Sequence, residues 1–125
     1  MYFISVYMHI RPYEKLVVWQ EAHKLCLWIY KNTRHFPSDE RFRLVSQMCR
    51  SAYSTPMNIT EGSSKSSKKE RSYFYEIAAC SLEELHYQCV LARDLCYMDT
   101  SDFSKTDDHI QRVSFLLMKL RQSVR

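Results

Sequence analysis

Apolar residues recur every three or four positions through most of the 125-residue chain, which is the spacing of amphipathic helices. Short polar segments separate these stretches, and Phe36-Pro37 ends the first one because the residue before a proline avoids the helical region. The predicted helices cover about residues 13–35, 39–61, 68–97 and 102–124, and Ser67 with Glu70 three residues on predicts a capping box at the start of the third. The pattern therefore predicts an all-α protein, an antiparallel up-down-up-down four-helix bundle.

The second predicted helix has more apolar surface than contact with one core requires. Phe42, Tyr53 and Met57 widen its apolar side well beyond the ~100° stripe of an ordinary surface helix. We therefore expect this helix to be enclosed on more than one side, by its own bundle and by another subunit. Such a chain is expected to assemble as a ring-like homo-oligomer.

Two residues restrict the backbone of the same helix. Pro56 removes one backbone donor, and we expect it to bend the helix without breaking it. Gly62 is the one glycine of the chain, and it is expected in the left-handed position just past the helix end.

A narrow polar stripe follows steps of three and four residues along this helix. Its members are Gln47, Arg50, Ser54, Asn58 and Glu61. Three interpretations are open: a network between helices or subunits, in which Arg50 or Asn58 pairs with Glu61; the lining of a central channel; or contact with a ligand. We favour the network, since short polar residues beside a broad apolar face suit an interface that sets register.

Residues 1–12 are predicted to be an extended N-terminal arm ahead of a bundle domain at 13–125. The arm is rich in aromatic and β-branched residues and ends at Pro12. Because so much apolar surface is unfavourable in water, we expect the arm to pack against another surface.

The formal net charge of +4 is compatible with a polyanionic partner. Basic residues concentrate at the entry to the third predicted helix and along the fourth, and these are the candidate nucleic-acid-binding residues. The candidates are Lys65, Lys68, Lys69, Arg71, Arg112, Lys119, Arg121 and Arg125. In an oligomer their phosphate contacts would add up over the subunits. The other interpretation is that these charges are solvated and that helix C-termini favour cations.

The five cysteines form no C-x-x-C pair and fall on or near the apolar faces of the predicted helices. This pattern is typical of free core thiols in a reducing compartment. The first residues lack the features of a signal peptide, and no apolar run has the length of a membrane span. We therefore expect a cytoplasmic protein without a membrane segment.

The strongest enzyme-like pattern is Glu83-x-x-His86, half of the motif found in di-iron bundles. No second copy of the motif exists, so neither a metal nor another cofactor is predicted. Cys49 beside Arg50 is the one candidate nucleophile, and a packed thiol is the favoured interpretation. We expect that the protein is not an enzyme.

The segment 47–62 reads Q-M-C-R-S-A-Y-S-T-P-M-N-I-T-E-G. It resembles the signature of the bacterial four-helix-bundle proteins that are encoded in 23S rRNA intervening sequences. Further similar segments follow the family's order: Tyr13–Ala22, Ile29–Tyr30, Phe36–Pro37, Ser67–Tyr75 and Glu83–Leu85. The resemblance covers about residues 13–122. The chain departs from the family in its arm and at Ser51, where the family has a second arginine.

The resemblance implies an antiparallel four-helix subunit that assembles into a homopentameric ring. It also implies kinship with the accessory proteins of diversity-generating retroelements, which work with a reverse transcriptase and RNA. The motif residues assigned to the family signature and interface are Gln47, Arg50, Asn58, Glu61 and Gly62. Two functions follow as hypotheses. The first is a non-enzymatic oligomer that binds nucleic acid, RNA in particular; the alternative is a protein-binding scaffold or accessory subunit, for example of a reverse transcriptase.

Overall fold

The computed structural model describes residues 10–125, which form four α-helices and no β-strand. The helices are α1 (Val17–Asn32), α2 (Leu44–Ser63), α3 (Lys68–Asp94) and α4 (Thr100–Gln122). Short 3-10 turns at Pro12–Lys15 and Ser38–Glu40 precede α1 and α2. Most of the predicted arm, residues 1–9, lies outside the described residues.

Each helix packs against two others, and the packing of α2 against α3 is the most extensive. α1 contacts α2 and α4, and α3 contacts α4. The fully buried large side chains come from all four helices: Leu25, Ile29, Met48, Ile59, Leu82, Leu85, Val113 and Leu117. The predicted all-α class is confirmed, and the packing is consistent with the predicted four-helix bundle.

The first two helices begin later than the apolar pattern predicts. The backbone of Leu16 is extended, so the Pro12–Lys15 turn is separate from α1. The predicted start of the second helix near Asp39 is wrong, because Arg43 has non-helical dihedral angles, φ −119° and ψ −103°. The segment before it is held by a tertiary contact instead: the Tyr97 hydroxyl donates to the buried Glu40 carboxylate at 2.9 Å.

The cap predicted at Ser67 is present. The Ser67 hydroxyl accepts a hydrogen bond from the Glu70 amide at 3.1 Å and donates to the Glu70 carboxylate at 3.1 Å. The first bond satisfies one backbone donor that a helix N-terminus leaves unpaired, whereas the Glu70 carboxylate accepts from the Ser67 hydroxyl and not, as in a full capping box, from the Ser67 amide. It fixes the point at which the chain enters α3.

The second helix continues through Pro56, as predicted. Asn58 and Ile59, two and three residues further on, are both buried. The Thr60 hydroxyl donates to the Pro56 carbonyl at 3.0 Å, which adds a side-chain bond in the turn after the proline.

The predicted role of Gly62 is wrong. Gly62 lies within α2, and it does not adopt a positive φ. A Cβ atom at this position would lie 2.6 Å from Cε1 and 2.8 Å from Cδ1 of Tyr75, which is buried on α3. Glycine is therefore required because α3 approaches α2 too closely for a side chain.

We predict that Gly62→Ala destabilises the bundle by about 1–3 kcal/mol, the usual range for overpacking. The Tyr75 ring has little freedom to move aside, since its hydroxyl is also hydrogen-bonded to Ser63 at 3.0 Å. Urea unfolding would measure the change, with Glu61→Ala at the exposed neighbouring position as control. In a Tyr75→Ala background the substitution should lose most of its cost; an equal cost in both backgrounds would contradict the steric explanation.

Candidate nucleic-acid interface

The loop between α2 and α3 is fastened by local hydrogen bonds. The Ser64 hydroxyl donates to the Glu61 carbonyl at 2.7 Å, and the Lys65 amide donates to the Gly62 carbonyl at 3.1 Å. Arg71 donates through Nε to the Lys65 carbonyl at 2.8 Å. The loop therefore presents its basic residues from a defined backbone.

Lys68 and Lys69 occupy the first turn of α3 and are exposed. Within residues 10–125 neither of them takes part in a salt bridge. The positive end of the helix dipole disfavours cations at this position and favours anions. The general preference of helix C-termini for cations therefore does not explain these two lysines.

The remaining members of the first cluster have intramolecular contacts. Arg71 is half-buried and uses Nε for the loop, and the Lys65 ammonium lies 5.3 Å from the centre of the Phe74 ring. Lys65 thus keeps its charge at the surface, while Arg71 is in part a structural residue.

The second basic cluster divides into two parts. The Arg112 guanidinium binds the Glu21 carboxylate of α1, so its charge is already paired. Arg121 lines a shallow groove with Glu76 and Glu83 of α3. Lys119 lies 5.4 Å from the centre of the Phe115 ring, and Arg125 is exposed at the C-terminus. Because its charge is paired with Glu21, Arg112 is not part of the candidate interface.

Arg11 was missed as a candidate because the sequence places it in the arm. Arg11, Pro12 and Tyr13 line a hollow together with Ser63 and Ser64, directly before the basic loop. This contact joins residues about fifty positions apart, so no local signal in the sequence could reveal it. We call the set Arg11, Lys65, Lys68 and Lys69, which belong to the basic loop, to the first turn of α3 and to the hollow beside them, the basic end.

The polar stripe of α2 divides between the interior and the surface. Ser54 and Asn58 are buried, whereas Gln47, Arg50 and Glu61 are exposed. The Ser54 hydroxyl lies 2.8 Å from the Ser81 hydroxyl of α3, and Asn58 donates to the hydroxyl and the carbonyl of Ser54 at 3.0 and 2.8 Å. These bonds make a network between two helices of one subunit.

The suggested partner of Glu61 is not found. In the described part of the chain neither Arg50 nor Asn58 bonds to the Glu61 carboxylate, and Asn58 bonds back along its own helix instead. Gln47, Arg50 and Glu61 remain exposed on the surface, where their proposed interface role stays a prediction.

Comparison with known proteins decides the family. The model of the 23S rRNA-intervening sequence protein family matches residues 14–119. The chain belongs to this family. The match omits the arm, which is the part that also departs from the family's pattern in sequence.

A crystal structure with the same fold is that of a protein of unknown function from the S23 ribosomal protein family of Bacteroides thetaiotaomicron. The two chains are 19% identical, with a TM-score of 0.79 over 85% of this chain and 96% of that chain. At this identity the likeness shows the shared fold alone. Among curated proteins, none matches this chain.

The prediction that all five cysteines are core thiols is wrong for two of them. Cys26 and Cys89 are buried and Cys49 is half-buried, but Cys80 and Cys96 are exposed. Cys80 lies on the outer side of α3, and Cys96 follows the helix end with a φ of 63°. The periodic pattern did not distinguish these faces.

The chemistry of Cys49 disfavours a nucleophilic role. Burial raises the pKa of this thiol, although the nearby Thr33 hydroxyl opposes the shift. Burial likewise raises the pKa of Cys26 to about 11 and that of Cys89 to about 12. Because the thiolate is the reactive form, none of these three cysteines is activated.

The side chain of His86 is paired with that of Asp107. Its Nε2 lies 3.3 Å from Oδ1 of Asp107 on α4, and both residues line a shallow groove with Glu83. Across residues 10–125 no group of three or more His, Cys, Asp or Glu side chains is arranged to hold a metal ion. Nor does any helix of these residues have the length and apolarity needed to cross a membrane.

We predict that Arg112→Gln weakens the fold at neutral pH and has less effect in acid. The hydrogen bond from Arg112 lowers the pKa of Glu21 in the folded state. A carboxylate with a lowered folded pKa stabilises the protein above its unfolded pKa of about 4.3, and this contribution is lost as the pH falls through the folded pKa.

Urea unfolding of both proteins at pH 7 and at pH 3 would test this. The difference in unfolding free energy should shrink at the lower pH, whereas the exposed control Lys105→Gln should show no such trend. A difference that is constant with pH would show that the ion pair does not act through Glu21.

Proposed function

We propose that this protein is a non-enzymatic, oligomeric four-helix-bundle protein that binds nucleic acid, RNA in particular, through its basic end. The observation that carries the proposal is the pair of exposed lysines in the first turn of α3, Lys68 and Lys69. They stand where the helix dipole also attracts anions. Membership of a family named for rRNA intervening sequences favours RNA as the anion.

We further propose that the helices run antiparallel, up-down-up-down. The Trp19 indole near the start of α1 donates to Thr60 near the end of α2 at 3.0 Å. The Trp28 indole near the end of α1 donates to Thr106 near the start of α4 at 2.8 Å. In this arrangement the end of α4 and the start of α3 meet at one end, so Arg121 and Arg125 lie near Lys68 and Lys69.

Assembly into a ring, as the family resemblance implies with five subunits, would repeat the basic end around an axis. Exposed apolar residues support self-association, and we call one such group the α3/α4 face: Phe115 and Met118 of α4, which are 54% and 44% exposed and line one groove with Glu83 and His86 of α3. Contiguous exposed apolar surface of this kind marks interaction sites. A ring turns weak contacts of one subunit into strong binding by the whole.

The alternative is a protein-binding scaffold or an accessory subunit of a larger enzyme. Phe42 favours this function, because 82% of this large apolar side chain is exposed beside a short turn. Under this alternative the apolar surfaces bind another protein and the basic residues are solvated.

We predict that Lys68→Gln with Lys69→Gln weakens the binding of structured RNA. The slope of log K against log salt should become shallower by about 0.7–0.9 for each phosphate that the variant no longer neutralises. The matched control is Lys31→Gln with Lys105→Gln, which removes the same charge near the end of α1 and the start of α4. Filter binding across a salt series measures both. An RNA affinity that changes neither with salt nor with any of the four lysine substitutions would favour the scaffold function.

We also predict that Phe115→Asp with Met118→Asp lowers the oligomeric mass, since it would bury charges without partners in a subunit contact. Light scattering on the intact chain gives the mass, and Ser104→Asp at an exposed position on the same helix is the control. A monomeric natural protein, or an unchanged mass in the double variant, would contradict an assembly through the α3/α4 face.

A further inference from the structure

An apolar groove lies between α1 and α2 on the outer side of the bundle. It encloses about 360 Å³, and its principal lining residues are Trp19, Leu27, Tyr30, Tyr53 and Met57. Leu27 is 56% exposed and Met57 is 49% exposed. No Asp, Glu, Lys or Arg lines it, and the one imidazole in its lining, His23, is stacked on the Trp19 ring. Such a surface is unfavourable in water unless another group covers it.

The N-terminal arm has matching chemistry. Residues 1–10 contain no Asp, Glu, Lys or Arg, and they include Tyr2, Phe3, Ile4, Val6 and Tyr7. A groove without Asp, Glu, Lys or Arg is best filled by a segment that also lacks these side chains, because no charged side chain then loses water without a partner.

The start of the described chain lies at one end of this groove. Arg11, Pro12 and Tyr13 line a hollow with Thr60, and Thr60 also lines the groove. The backbone at Arg11 is extended, with φ −73° and ψ 150°. Nine further residues reach up to ~30 Å in an extended chain. The groove follows α2 from Thr60 to Tyr53, which is about 10 Å at the rise of a helix.

We propose that residues 1–9 bind in the α1/α2 groove of their own subunit. A tethered segment acts at a local concentration of the order of millimolar, an advantage that the surface of another molecule lacks. The proposal replaces the expectation that another subunit covers the outer side of α2. It does not depend on nucleic-acid binding.

A second copy fits this groove less well. The α3/α4 face, through which a second copy is proposed to bind, has Glu83, His86 and Asp107 around Phe115 and Met118. The carboxylates of Glu83 and Asp107 would be desolvated against a groove in which no Lys or Arg offers a partner. The observations therefore favour the chain's own arm.

The first experiment measures protection of the groove in the full chain. In a background of Cys80→Ser and Cys96→Ser, which removes the exposed thiols, Met57→Cys is labelled with a bulky maleimide. Adding Ile4→Asp and Val6→Asp should increase the labelling rate about tenfold, because the arm then leaves the groove open more often. The control is Met118→Cys on the α3/α4 face, whose rate should not respond to the arm. Equal rates at Met57→Cys with both arms would overturn the proposal.

The second experiment distinguishes the occupants. In the same background, Ile4→Cys, Val6→Cys or Met8→Cys is combined in turn with Met57→Cys, and the two thiols are joined by a mild oxidant at low protein concentration. A disulfide between the two introduced cysteines of one chain supports the proposal; it is seen at monomeric mass as the loss of both thiols to alkylation in denaturant, and peptide mass spectrometry distinguishes it from a bond to Cys26 in the same groove. Disulfide-linked dimers would assign the groove to the arm of a second copy, and no disulfide in any of the three variants would exclude the arm; either result overturns the proposal. Circular dichroism confirms that every variant is folded.

Discussion

The close approach of α2 to α3 is the constraint on which the rest of the structure depends. Gly62 leaves room for the ring of Tyr75, and the hydroxyls of Ser54 and Ser81 meet at 2.8 Å between the same two helices. Glycine and serine let the two backbones approach at positions where larger side chains would hold them apart. Because a short loop joins these helices, their packing also fixes where Lys68 and Lys69 stand. The position of the basic end is thus a consequence of how the core is packed.

Charge alone does not identify the candidate interface. Arg112 and Lys69 are both cationic and both at the surface, but Arg112 is paired with Glu21 while Lys69 has no carboxylate partner in the described residues. The electrostatic environment of the two side chains differs as well, since Lys69 lies in the first turn of α3, at the positive end of the helix dipole. What separates them is tertiary contact and position along a helix.

The sequence supported those predictions that rest on local signals. Helical periodicity placed four helices, the Ser67 cap fixed the start of α3, and the pattern beyond Pro56 showed that α2 continues. These features depend on residues within a turn or two of each other.

The features that sequence reasoning missed depend on distant partners. The start of α2 is set by a segment in which Glu40 is bound to Tyr97, and Gly62 is needed because of Tyr75. Arg112 left the candidate interface because it meets Glu21, 91 residues away. The local pattern of residue types along the chain does not show which distant residues come into contact. The candidate site could therefore be predicted only as a set of basic residues and not as a surface.

The two ends of the bundle are held together by different means. At the end opposite the basic loop, His35 and Glu40 both bond to Tyr97, so the connections before α2 and after α3 are tied to each other across the chain. The Ser64–Ser67 loop, in contrast, is held by bonds between residues no more than six positions apart. A change in this loop therefore leaves the tertiary contacts at the opposite end intact, so one end of the bundle can vary in sequence while the other maintains the fold.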